Sequence, residues 1–312
     1  MFDTVRDTAS EIKDMKIRGA GRIARAGASA AGEFAETYKG GSLEEFRKDL
    51  ETARGILLES RPTAVSLWNG VQACTKDVCN ASSLEEAKES VICNARLFVE
   101  TSSKAVEFIA RIGARRISDG DVLLTHCNST AALGVIKKAH AQGKDIKVYA
   151  TESRPWRQGL LTVRELSEAG IDVTLIVDSA VRSVMRKTDR VFVGADTVTS
   201  NGELINKIGT SQLALAADEA GVPFNVCTET YKFSPLTMFG DTVAIEERDC
   251  GEVAEKGSLP ENVRIYNPVF DVTPAKYINS IITELGILSP GSVYDVMVRQ
   301  LGEDIFKMRD NP

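Results

Sequence analysis

Five short apolar runs, each ending on a cluster of polar residues, constrain this chain more than any other feature. They are Asp121-Val-Leu-Leu-Thr-His126, Ile146-Lys-Val-Tyr-Ala-Thr151, Val173-Thr-Leu-Ile-Val-Asp178, Arg190-Val-Phe-Val-Gly-Ala-Asp196 and Pro223-Phe-Asn-Val-Cys-Thr-Glu229. Helical stretches lie between them, at 130–142, 159–169, 179–187 and 209–220. Strand and helix alternating about every 25 residues imply a parallel, doubly wound sheet. Runs that are apolar throughout suit strands covered on both faces. In such sheets ligands sit beyond the carboxyl ends of the strands. Those ends read His126-Cys127-Asn128-Ser129, Glu152-Ser153-Arg154, Asp178-Ser179, Asp196-Thr197 and Thr228-Glu229-Thr230-Tyr231-Lys232.

The first third of the chain follows a different pattern. Ala87, Val91, Ala95, Phe98, Ser102, Ala105 and Ile109 recur at steps of three or four, as on one face of a helix. Ser42 and Ser83 precede acidic first turns, as N-caps do. The fold class is therefore α/β: a helical N-terminal domain at 1–116, then a Rossmann-like doubly wound parallel-sheet domain at 117–312. The length of 312 residues accommodates two such domains.

Lys plus Arg total 38 against 44 Asp plus Glu, and a net charge of −6 argues against broad electrostatic wrapping of nucleic acid. No run approaches the roughly 20 apolar residues of a membrane helix, and the charged N-terminus is no signal peptide. The reading is a cytoplasmic protein with no membrane partner. Cys74, Cys79, Cys93, Cys127, Cys227 and Cys250 are scattered, with no pair at zinc-ligand spacing, so no metal is expected. Apart from Cys127, they are expected to be small buried hydrophobes.

Cys127 follows a strand and precedes a helix start, where the helix dipole lowers a thiol pKa. Filling of a strand end by a small side chain is the alternative. Asp196 closes a buried strand, where a carboxylate is costly unless paired or used; capping is its alternative. Asn206-Lys207-Ile208-Gly209-Thr210 leads into a helix, and such a helix start forms an anion site by geometry. It is not a P-loop, and no Gly-x-Gly-x-x-Gly follows a strand, so no dinucleotide cofactor is expected. Arg18-Gly19-Ala20-Gly21 combines a guanidinium with glycines that let backbone approach a ligand, though a helix kink fits as well.

The stretch Asn201-Gly-Glu-Leu-Ile-Asn-Lys-Ile-Gly-Thr210, preceded by Gly194-Ala-Asp196 and followed by Asn267-Pro-Val-Phe-Asp271, resembles the hallmark of a family with two branches. One branch contains sugar-1-phosphate aldose–ketose isomerases. The other contains regulatory subunits of a translation-initiation guanine-nucleotide exchange factor, which generally lack a Cys–Asp pair. Having Cys127 and Asp196, the chain is similar to the isomerases. Arg18-Gly-Ala-Gly21, Arg61-Pro-Thr, Thr125-His-Cys-Asn-Ser129 and Glu229-Thr-Tyr-Lys-Phe233 resemble the archaeal ribose-1,5-bisphosphate isomerases. The methylthioribose-1-phosphate isomerases usually read Arg-Gly-Ala-Pro at the first of these; they and the non-catalytic subunits are the alternatives.

The resemblance implies Cys127 as thiolate base and Asp196 as protonated acid. It implies substrate contacts at Arg18, Gly19, Ala20, Gly21, Arg61, Asn128, Ser129, Thr130, Ala131, Arg154, Asn206, Lys207 and Lys232. It further implies a sugar bisphosphate substrate, no cofactor and a homo-oligomer, a dimer or a trimer of dimers. The C-terminal segment 271–304 alternates apolar and polar runs beyond what the sheet requires, which suits such an interface.

Overall fold

A computed structural model describes residues 2–301. The chain divides into two compact units, residues 1–105 and 106–312, and the division falls within one long helix.

Unit 1 is built from helices α1 (Asp3–Lys13), α2 (Ala20–Thr37), α3 (Leu43–Glu59), α4 (Val65–Thr75) and the first part of α5 (Leu84–Ala114). Ser42 caps α3 by accepting the Glu45 N–H, and Ser83 accepts that of Glu86 before α5. Ile23, Phe34, Phe46, Leu57, Leu67 and Val91 fill its core. Stacking of Phe34 on Phe46, with Tyr38 edge-on to Phe46, supplies the aromatic part of that core. Helices α2 and α4 run side by side in the same direction: the Ser66 hydroxyl donates to Ala20 O at 2.9 Å, and Gly70 lies against Ala24 O.

Unit 2 continues with β1 (Val122–Thr125), α6 (Thr130–Ala141), β2 (Lys147–Thr151), α7 (Gly159–Glu168), β3 (Asp172–Ile176), α8 (Val181–Met185) and β4 (Arg190–Val193). Then come β5 (Thr197–Val198), β6 (Leu204–Lys207), α9 (Thr210–Ala220) and β7 (Phe224–Cys227). After a long irregular stretch follow β8 (Phe270–Thr273), β9 (Ser280–Thr283), β10 (Gly286–Leu288) and α10 (Val293–Leu301).

The main sheet has the order β10-β9-β7-β4-β1-β2-β3, parallel except for β10. The strand order reverses between β1 and β4, which pair in parallel through Leu123 and Leu124. In open sheets of this kind such a reversal is where ligands bind, at the carboxyl ends of the strands. The five apolar runs of the sequence are β1, β2, β3, β4 and β7.

Three expectations need correction. β3 is not covered on both faces: it is an edge strand, with Leu175 43% and Val177 57% exposed. The C-terminal segment is not surplus to the sheet, because it contributes β9 and β10 to it and β8 to a small antiparallel sheet, β5-β6-β8; residues 302–304 of that segment lie outside the described residues. Finally, Cys79, Cys93 and Cys250 are exposed rather than buried.

Candidate active site

Cys127 and Asp196 stand at the two strand ends that flank the reversal, beyond β1 and β4. Cys127 is half-buried and left-handed, with φ +65°. Its N–H donates to Ser153 Oγ at 2.8 Å, and its carbonyl accepts the Thr162 hydroxyl at 2.6 Å. Burial pushes the thiol up to about 11. Lys207 and the Asn128 amide pull it down; Asp196 and Asp178 push it further up. This reverses the lowered value expected from the helix dipole, because desolvation outweighs the dipole here. Without substrate the thiol is therefore protonated at neutral pH.

Asp196 is half-buried, and its N–H donates to Ile205 O at 3.0 Å. That bond turns the chain from β4 into the small sheet. Gly194, just before it, is required: a Cβ there would collide with the Ser129 side chain.

The small sheet carries Asn206 and Lys207 to the same end. Both are buried, and Asn206 and Lys207 pair in register with Asp271 and Phe270 of β8. The Lys207 ammonium lies 5.3 Å from the Phe270 ring centroid, a cation–π distance. Asn206 donates to Thr210 Oγ1 at 3.1 Å, and Thr210 in turn donates to Lys207 O at 2.6 Å. Gly209, at φ +101°, makes the turn into α9.

The start of α9 is not an open anion site. The Asp271 carboxylate already accepts the N–H groups of Gly209 at 2.8 Å and Ser211 at 3.1 Å. The helix dipole is thus satisfied from within, by a residue of β8. Burial nevertheless pushes the Asp271 carboxyl up to about 6, against those two hydrogen bonds. Lys232 is likewise engaged: its ammonium lies 2.8 Å from Glu229 Oε2, both side chains buried. Burial raises the Glu229 carboxyl, but Lys232 and the Tyr231 hydroxyl outweigh it and the net shift is downward.

The other strand-end residues divide by role. Asn128 donates through Nδ2 to Thr162 and Glu165 of α7, at 3.1 Å each. Ser129 caps α6 by accepting the Ala132 N–H. Thr130 is exposed at the first turn of α6, and Ala131 is buried behind it. Arg154 donates its N–H to Asp178 and a guanidinium N–H to Val253 O at 3.3 Å. In unit 1, Gly19, at φ +86°, precedes α2, and the Arg18 Nε–H donates to Met15 O at 2.6 Å. Ala20 and Gly21 form the first turn of α2, and Arg61 precedes the start of α4. The parallel packing of α2 and α4 sets these two helix N-termini side by side, each preceded by an arginine, as an anion site requires.

The sequence reading placed Ser153 and Asp178 among the strand-end residues without giving either a role, and it singled out neither Thr151, which closes a run, nor Thr162. The available signal was that position alone. Among the described residues, no three His, Cys, Asp or Glu side chains converge as a metal site would need.

Comparison with known proteins gives a consistent picture. Residues 16–290 match the model of the Initiation factor 2 subunit family. The chain is 53% identical over 301 residues to a ribose 1,5-bisphosphate isomerase of Archaeoglobus fulgidus, covering 96% of this chain and 95% of that one. It is 40% identical over 296 residues to a methylthioribose-1-phosphate isomerase of Heliobacterium modesticaldum, covering 89% and 86%. The fold superposes on the crystal structure of the Pyrococcus horikoshii OT3 translation initiation factor eIF-2B with a TM-score of 0.79 and 36% identity. That match covers 92% of this chain and 98% of that one.

Proposed function

The chain belongs to the Initiation factor 2 subunit family, and within it we propose that it converts ribose 1,5-bisphosphate to ribulose 1,5-bisphosphate. The observation that carries this reading is 53% identity to an isomerase of that substrate over nearly the whole of both chains. The Cys127–Asp196 pair at the strand-order reversal supports it. The product would belong to the breakdown of nucleoside monophosphates, and the setting would be cytoplasmic.

Phosphate on the anomeric carbon prevents ring opening by simple reversal of a hemiacetal. The ring C1–O4 bond must break with acid help while C2 loses its proton. Asp196, as the acid, protonates O4; Cys127, as thiolate, takes the C2 proton. An enol phosphate with a C1–C2 double bond results. Cys127 then returns its proton to C1, and Asp196 takes the proton of the C2 hydroxyl, leaving the ketone. Both groups end as they began.

The raised thiol means that the active form needs Cys127 to lose a proton and Asp196 to hold one. The two requirements help each other. Neutralising Asp196 removes one of the charges that oppose the thiolate, and Lys207 favours it further. A substrate phosphate would lie near Asn206 and Lys207. Because Asp271 occupies the α9 start, it would depend on side-chain cations rather than on the helix N-terminus.

The test is to supply the purified protein with ribose 1,5-bisphosphate and assay ribulose 1,5-bisphosphate, with methylthioribose 1-phosphate in parallel. Turnover of the bisphosphate is expected. Turnover of only the methylthio sugar would move the chain to the other isomerase group. Turnover of neither would leave a non-catalytic subunit.

A further inference from the structure

Two neighbouring strand ends carry left-handed residues that are not glycine, Cys127 at φ +65° beyond β1 and Ser153 at φ +61° beyond β2. L residues rarely adopt this conformation, and it persists only where the surroundings hold it. The hold is visible. The Asp178 carboxylate, beyond β3, accepts the N–H of Ser153 at 2.7 Å and of Arg154 at 2.8 Å. Ser153, fully buried, accepts the Cys127 N–H on its Oγ at 2.8 Å. Each strand end is thus fixed by the next one outward.

The same Ser153 hydroxyl opens a second branch. The His126 Nε2 faces the Ile208 carbonyl at 2.9 Å, so that nitrogen carries the proton. Its Nδ1 must then accept from Thr151 Oγ1, 2.6 Å away. Thr151 Oγ1 is left to accept from Ser153 Oγ, 3.1 Å away. The Ser153 hydroxyl also lies 3.4 Å from His126 Nδ1 and 3.5 Å from Thr151 O, so all its acceptors belong to this cluster, and the network ends on the residue after Lys207.

We propose that Asp178 and Ser153 are positioning residues that hold Cys127 in its left-handed conformation and aim its thiol. The proposal rests on the assignment of Cys127 as the reacting group. Neither residue touches substrate in it; Ser153 acts through the Cys127 backbone, and Asp178 through Ser153 and through its charge. The charged groups facing the thiol are Lys207 from β6, Asp196 beyond β4 and Asp178 beyond β3, while burial shifts the neighbouring His126 imidazole downward.

The test compares Asp178→Asn and Ser153→Ala with wild type in steady-state kinetics on ribose 1,5-bisphosphate. Alongside, Cys127 alkylation by iodoacetamide is followed across pH by peptide mass spectrometry, which separates it from the exposed Cys79, Cys93 and Cys250. In both variants kcat should fall at least about tenfold with KM within about twofold. The alkylation midpoint should move down in Asp178→Asn, which loses an opposing charge, and stay in place in Ser153→Ala, which keeps it. A kcat within twofold of wild type in Ser153→Ala, or a loss confined to KM, overturns the proposal. Should Asp178→Asn fail to fold, Ser153→Ala decides alone. Activity surviving in Cys127→Ser would instead overturn the catalytic assignment.

Discussion

Cys127 is held by its neighbours more firmly than its side chain requires. Its amide is bonded to Ser153, beyond β2, and its carbonyl to Thr162 of α7. Cys127→Ser removes one polarisable atom and disturbs none of those backbone bonds. It should fold as wild type, bind substrate and lose turnover by several orders of magnitude; substantial residual activity would eliminate the cysteine base. Asp196 makes its backbone bond to Ile205 whatever its side chain, so Asp196→Asn should also preserve the fold. Turnover should collapse while binding survives. A change in KM alone would mark Asp196 as a binding residue instead. Both residues were legible in the sequence because each follows directly on an apolar strand. Ser153 and Asp178 occupy equivalent places, but a serine and an aspartate after a strand are ordinary turn formers. Their role lies in bonds to another strand end, which spacing cannot display.

Helix starts are the elements on which the phosphate assignment turns. The paired N-termini of α2 and α4 each follow an arginine, whereas the start of α9 is closed by Asp271. Charge-assisted hydrogen bonds are worth about 1.5–3 kcal/mol. Lys207→Met should therefore raise the substrate dissociation constant about tenfold or more. An unchanged constant would remove Lys207 from the phosphate contacts.

Asp271 allows a separate check through stability. Burial holds its carboxyl at about 6, above the ordinary 3.8. Between those values the folded chain binds the proton more tightly than the unfolded one, so this contribution is present at low pH and fades as pH rises through about 6. Asp271→Asn, still able to cap, should gain in melting temperature relative to wild type from pH 4.5 to pH 7.5; a difference that stays flat over that range would contradict it. The sequence concealed this cap because Asp271 lies 62 residues from the Gly209 amide it serves. It concealed the β5-β6-β8 sheet for a related reason. A two-residue and two four-residue strands are too short for periodicity to register, and one arrives from far downstream. The long helix α5 and four of the six parallel strands, β1, β2, β4 and β7, were legible because burial writes itself directly into their apolar spacing.

For the molecule as a whole, the expectation is a homo-oligomer, at least a dimer. Light scattering at micromolar concentration should return a mass of at least two chains, and a monomer would refute it. The exposed apolar side chains of Leu175 and Val177 at one sheet edge, and of Leu285 and Ile287 at the other, make self-association plausible on physical grounds. The order of the strands has another consequence, one that precedes any assembly. β7 pairs with β4 on one side and with β9 on the other, and the segment between β7 and β9 is about 50 residues of mostly irregular chain. On a ribosome adding roughly 5–20 residues per second, β7 would emerge several seconds before the strand that covers it. Throughout that interval the nascent sheet would expose a buried-type edge, Phe224-Asn-Val-Cys227, to whatever else is being made nearby.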